Sequence, residues 1–267
     1  MREEDEGSKY EVVIPEGVSE SDTPKKMRLT KRTECVRCGK CCTGGGPALL
    51  KEDMRLVQAG VLSYDNTCTI RDGERIRSHG DGEIYESFME LVKVRSKDRN
   101  KENPAECIFY NGDEGCGIYE NRPAQCREYE CWSASAAPGE SPEGPAPGNV
   151  LEGLEKRGMT RRDLFQSVDA LLKVIEKHEE KCSFRKLADA FDRVAKGEES
   201  AVEEIMEMLQ YDTYARPFLV EKLNVPSAAL DLVLGNSLID AVHEFGFKVV
   251  KEGDEYILLP QEEREEQ

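Results

Sequence analysis

Four cysteines fall within eight residues in the run C35-V-R-C-G-K-C-C42, a density that no apolar core requires. A thiol fills a core gap singly, pairs as a disulfide, acts as a nucleophile, or binds metal as thiolate, and gaps of two residues are the spacing of the last. A second group follows after a long insert: Cys107, Cys116, Cys126 and Cys131. Of the ten cysteines only Cys68 and Cys182 stand apart. These eight thiols are the candidate metal ligands. Basic residues accompany them, with Arg28, Lys31, Arg32, Arg37 and Lys40 around the first group and Arg122 and Arg127 inside the second. Positive charge there offsets thiolate charge and lowers thiol pKa values; the alternative is an anion or acidic-partner site, which makes Arg122 and Arg127 the candidate cofactor-binding residues.

Eight thiolates suffice for two closed zinc sites, and equally for one or two iron-sulfur clusters. Cys35, Cys38 and Cys41 match the first three positions of the bacterial ferredoxin run, but the fourth falls on Gly45. Neither a zinc ribbon, with two C-x2-C pairs, nor a C2H2 finger, with paired histidines, fits. Adjacent side chains are expected to diverge, so Cys41 and Cys42 would serve different irons or different centres more easily than one zinc tetrahedron. That expectation leans toward an iron-sulfur cluster, with zinc as the alternative.

The first group combined with C107-x8-C116-x-I118-Y119-x-x-R122-P123-x-x-C126-R127 resembles the CxxCxxCC cysteine-cluster family, also called the YkgJ family, of zinc- or iron-chelating proteins. The match spans about residues 33 to 132. The resemblance implies metal binding by these cysteines, in electron transfer, redox sensing or metal handling. Some flagellin lysine methylases are grouped with this family, so an S-adenosylmethionine-using lysine methyltransferase is the alternative. The C-x3-C-x2-C run of radical S-adenosylmethionine enzymes is absent, however, and Gly44-Gly45-Gly46 follows cysteines rather than a strand, so it is no nucleotide loop.

The elements that must position these thiols are short. If residues 35 to 42 are helical, Cys35, Cys38 and Cys42 share a face; if they form a knuckle turn, Gly39 supplies the bend. Residues 52 to 59 read as a short helix stopped by Gly60. Residues 67 to 70 and 75 to 77 read as a hairpin, with Cys68 a buried small hydrophobe. Ile84, Phe88, Leu91 and Val92 predict a helix over 83–95. Asn111 to Gly115 reads as a turn bringing Cys107 near Cys116, and Pro123 opens a helix carrying Cys126. Tyr119, Tyr129 and Trp132 are expected to shield the site.

Residues 133–149, with four prolines and three glycines, read as a linker. The organisation is then a flexible lead-in over 1–32 with a short strand at Val12 to Ile14, a cysteine-cluster domain over 33–132, the linker, and a helical domain over 150–267 ending in a β hairpin. Capping boxes are expected at Thr160 with Asp163 and at Ser200 with Glu203, and a cap at Ser183. Separate helices are expected near 214–223, 227–234 and 237–245. His178 and Cys182 would share a helix face as two ligands, too few for a closed zinc site. The fold class is therefore mainly α with short β hairpins.

The net charge of −17 disfavours general nucleic-acid binding. No stretch approaches the roughly 18 apolar residues of a membrane span, and Met1 to Glu6 lacks an apolar targeting segment. The expectation is a cytoplasmic protein with a protein partner and no membrane contact, in a reducing compartment that disfavours disulfides.

Overall fold

The computed structural model describes residues 34–77, 84–97, 106–129, 154–252 and 255–261. The architecture is mainly helical, with three antiparallel strand pairs. The expected lead-in and its expected strand at Val12 to Ile14, the expected linker 133–149, His79, Cys131 and Trp132 lie outside the described residues.

Strand β1 (Thr67–Ile70) pairs with β4 (Leu91–Val94), and β2 (Arg75–Arg77) pairs with β3 (Ile84–Glu86). The expected hairpin between 67–70 and 75–77 is thus replaced by two nested ladders. The helix expected over 83–95 is replaced by β3 and β4. On β4 the buried Val92 and Val94 alternate with the half-buried Leu91 and Lys93, a period of two that the i, i+4 spacing of Ile84, Phe88 and Val92 masks. Leu49 N donates to Val92 O, Val92 N to Met159 O, and Met159 N to Leu49 O, each at 2.8 Å. The chain beyond residue 154 is therefore stitched into the same ladder as the cysteine region. Leu49, Leu56, Val92 and Val94 share one apolar cluster with Cys107, Met159 and Leu232.

The helices of the second half follow from amphipathic spacing. Thr160 and Asp163 form the expected capping box on Arg161–Phe165, and the Ser183 side chain caps Phe184–Ala195. Helix Ser200–Leu223 runs 24 residues through Pro217, so no separate helix begins near 214. Its N-cap is Glu199, without a side-chain cap, and Ser200 Oγ instead donates to Glu198; the expected box with Glu203 does not form. Residues 227–234 and 237–245 fold as short 3-10 and α turns. The final hairpin pairs β5 (Phe247–Glu252) with β6 (Glu255–Pro260) as expected. Among the described residues no helix is long and apolar enough to cross a membrane.

A buried polar network joins these helices to the β1–β2 turn. Arg71 and Asp212 are fully buried on either side of His178, with Arg71 Nη1 3.3 Å from Nδ1 and Asp212 Oδ1 2.8 Å from Nε2. Arginine can only donate and a carboxylate only accept, so the ring is the neutral Nε2–H tautomer. Burial pushes its pKa down, with the Arg71 charge adding to that and the Asp212 hydrogen bond opposing it. Burial acts upward on Asp212, but the His178 hydrogen bond and Arg216 outweigh it and hold the carboxyl well below the usual range. Cys182 Sγ lies 3.5 Å from Met208 O. Both His178 nitrogens are occupied, so the i, i+4 pair with Cys182 serves packing and does not form a ligand pair.

Candidate metal centre

The first cysteine group is a turn followed by a single helical turn, Lys40–Thr43, and the fully helical alternative over 35–42 is not adopted. Arg37 and Gly39 take left-handed φ values of 59° and 79°. A Cβ at Gly39 would stand 2.1 Å from Tyr110 Oη, so both conformation and space demand glycine there. Cys107 N donates to Cys42 O at 2.8 Å, which fastens the second group to the first. Asn111 N donates to Gly115 O at 2.8 Å, and Tyr110 bridges to Cys116, closing the expected turn.

Cys126 lies on helix Ala124–Glu128, which Pro123 opens as expected. Asp53, fully buried, fixes that helix: one oxygen accepts from Ala124 N at 2.8 Å and the other from Leu50 N at 3.0 Å. Ala48 N donates to Gln125 Oε1 at 2.7 Å. A helix too short to hold itself is thereby held by residues just beyond the first cysteine group.

Cys41, Cys42, Cys107, Cys116 and Cys126 lie on three segments that these bonds fasten together. Cys41 and Cys42 Sγ are 4.0 Å apart. With Cys42 as donor, the hydrogen bond it makes to Cys41 lowers the Cys41 pKa to about 6, against the effect of burial and with help from backbone amides and Arg122. The same hydrogen bond raises Cys42, and burial and the charges of Cys41, Cys107 and Cys116 raise it further. Burial pushes Cys107 up, with Cys116 and Cys41 adding, and pushes Cys126 up to about 12, with Cys107, Cys41 and Cys116 adding and Arg122 opposing. Charge on Cys41 and Cys116 thus acts on Cys42, Cys107 and Cys126, although these thiols come from three segments of chain.

The expectation that the Cys41 and Cys42 side chains diverge is overturned. Four thiolates about 2.3 Å from one zinc stand about 3.8 Å from each other, close to the observed 4.0 Å. The helical turn that carries both begins only at Lys40, after Gly39 in a left-handed conformation. Adjacency therefore no longer favours iron over zinc. Cys38 is exposed and Cys35 half-buried, with Arg37 N 3.4 Å from Cys35 Sγ.

Arg122 acts on Cys41 and Cys126, and Lys93 on Cys107. The Arg122 guanidinium lies 3.8 Å from the centre of the Tyr119 ring, as does that of Arg37, and Tyr119 Oη donates to Cys35 O at 3.2 Å. Arg127 turns away, donating to Arg122 O and lying 3.4 Å from Glu52. Cys68 is half-buried on β1, its thiol pushed up by burial, away from the five. His243 bonds Gln261 at the surface. Asp53 and Tyr110 were not legible as parts of the site, because neither bears metal chemistry and both act across long chain separations.

Among the described residues, no three Cys, His, Asp or Glu side chains already stand in a ligating arrangement. The donor set fits a thiolate-bound metal nonetheless: soft sulfur ligands, mutual repulsion that a cation relieves, and an arginine biasing Cys41 and Cys126 toward thiolate. No curated protein and no solved structure matches the chain. Residues 34–143, which contain nine of the ten cysteines, match the model of the CxxCxxCC family, described as "Putative zinc- or iron-chelating domain".

Proposed function

We propose that the chain holds a zinc ion or an iron-sulfur cluster through ligands drawn from Cys41, Cys42, Cys107, Cys116 and Cys126, with Cys35, Cys38 and Cys131 as further thiols of the set. The observation that supports this most is the 4.0 Å approach of Cys41 and Cys42 Sγ, with Cys41 and Cys116 raising the proton affinity of Cys107 and Cys126 on the other segments. A zinc centre would supply a structural fastening and a cluster would supply one-electron chemistry; metal handling, redox sensing and electron transfer are the roles that follow.

The residues around the thiols act to position and shield them. Gly39 and Tyr110 shape the turn, Asp53 seats the Cys126 helix, and Arg122 lowers the cost of thiolate at Cys41. The expected protein partner belongs to this proposal as well, supported by the exposed Tyr214 and Phe218 one turn apart on helix Ser200–Leu223.

The test is anaerobic purification followed by metal and acid-labile sulfide analysis. Zinc without sulfide identifies the zinc centre, and iron with comparable sulfide the cluster. A protein that carries neither metal, and takes up neither from solution, refutes the proposal.

A further inference from the structure

The Arg37, Tyr119 and Arg122 arrangement is more than charge compensation requires. Both guanidiniums lie 3.8 Å from the centre of one tyrosine ring. Two planar cations cannot share a ring face at that distance, so they sandwich the ring. Stacking occupies the faces of the guanidiniums and leaves their N–H edges to hydrogen-bond in plane.

Those edges are poorly used. Arg122 Nε is shielded from solvent without a hydrogen-bond partner, and among the described residues no carboxylate pairs with Arg122. Among the described residues the carboxylate partner of Arg37 is Glu120, 3.7 Å away, with side chains 48% and 86% exposed, a contact worth little in water. Arg37 is also held at a left-handed φ of 59°, backbone strain of the kind stored at ligand clamps. Tyr119 is pinned by its hydroxyl to Cys35 O, so the ring separating the two cations is fixed.

We propose that Arg37 and Arg122 form a recognition site for a small dicarboxylate beside the thiol cluster. The two guanidiniums stand no more than about twice 3.8 Å apart across the ring. The Tyr119 ring fills the space between them, so a single carboxylate at its edge meets one fork squarely and not both. Two carboxylates joined by a short carbon chain can pass the free edge of the ring, each meeting the fork of one arginine. The site takes its place next to the proposed metal centre from that reading, but the anion contacts themselves involve no thiol.

The experiment is isothermal titration of the anaerobically purified full-length protein with succinate, citrate, acetate and pyrophosphate at low salt. Wild type is compared with Arg37→Gln, Arg122→Gln and Arg122→Lys, and metal content is measured on every sample. Succinate or citrate is expected to bind at least tenfold more tightly than acetate. Affinity is expected to fall at least tenfold in each variant, Arg122→Lys included, because lysine keeps the charge and loses the fork. The proposal is overturned if no dicarboxylate binds the wild type, if pyrophosphate alone binds, if acetate binds equally well, or if Arg122→Lys binds dicarboxylate unchanged. A wild type that binds dicarboxylate yet carries no metal supports this site and removes the metal reading.

Discussion

Replacing Asp212 by alanine tests whether the buried network holds the helices together. Asp212 is fully buried and accepts from His178 Nε2 at 2.8 Å, Leu238 N at 2.9 Å, and Arg216 Nε and Nη2 at 3.2 Å each. Truncation orphans His178 Nε2, Leu238 N and Arg216 Nε, and leaves the Arg216 side chain, 15% exposed, with Gly235 O and the more distant Asp231 carboxylate, 3.8 Å away, as its remaining partners. Breaking a buried pair in this way costs about 3–5 kcal/mol. Against a typical total of about 5–15 kcal/mol, this is a large fraction. At about 2–4 °C per kcal/mol for a chain of this size, the melting temperature should fall by about 10 °C. The assay is thermal and urea unfolding followed by far-UV circular dichroism at neutral pH. Asp189→Ala serves as control, because its i, i+4 pair with Arg193 is exposed and is worth less than about 1 kcal/mol. If Asp212→Ala melts like the control, the network does not stabilise the fold and the account of the helical half is wrong.

Three further outcomes are expected. His178 has a native pKa lowered below the 6.5 of the free side chain, so below that pH the unfolded chain takes a proton that the native protein refuses. Stability should be flat above pH 6.5 in this respect and should fall as pH drops beneath it, by at most about 1.4 kcal/mol per pH unit; urea midpoints of wild type and His178→Gln across that range check this, since the variant should lose the slope. In metal-free protein, Cys41 should alkylate with a midpoint near pH 6, and Cys42→Ala should move that midpoint upward because the thiol donor is gone; mass spectrometry of the labelled peptide reads it. Gly39→Ala forces a Cβ to 2.1 Å from Tyr110 Oη at a φ of 79° and should cost about 1–3 kcal/mol, with reduced metal content in the same preparation.

How far the sequence speaks for itself differs by element. The caps at Thr160 and Ser183, the turn at Asn111 to Gly115 and the terminal hairpin were legible, because each is specified by a few residues in contact along the chain. The strands β3 and β4 were not, since apolar spacing at 84, 88, 91 and 92 satisfies a helical template, and the deciding partners, Leu49 and Met159, are distant in sequence. The same holds at the thiols. Their density marks the chemistry, but neither the 4.0 Å approach of Cys41 and Cys42 nor the packing of Gly39 against Tyr110, 71 residues on, can be read from spacing. His178 illustrates the opposite case: its spacing to Cys182 suggests ligands, while Arg71, 107 residues away, and Asp212, 34 away, claim both ring nitrogens.

The central claim is that sulfur from both cysteine groups surrounds one metal centre. X-ray absorption at the zinc or iron edge of anaerobically purified protein tests it most directly, read with Cys42→Ser and Cys126→Ser beside the wild type. The account predicts metal surrounded by sulfur at about 2.3 Å, with sulfur ligation or metal occupancy reduced in both variants. A metal surrounded by nitrogen and oxygen alone, or a sulfur environment unchanged by either substitution, would contradict it.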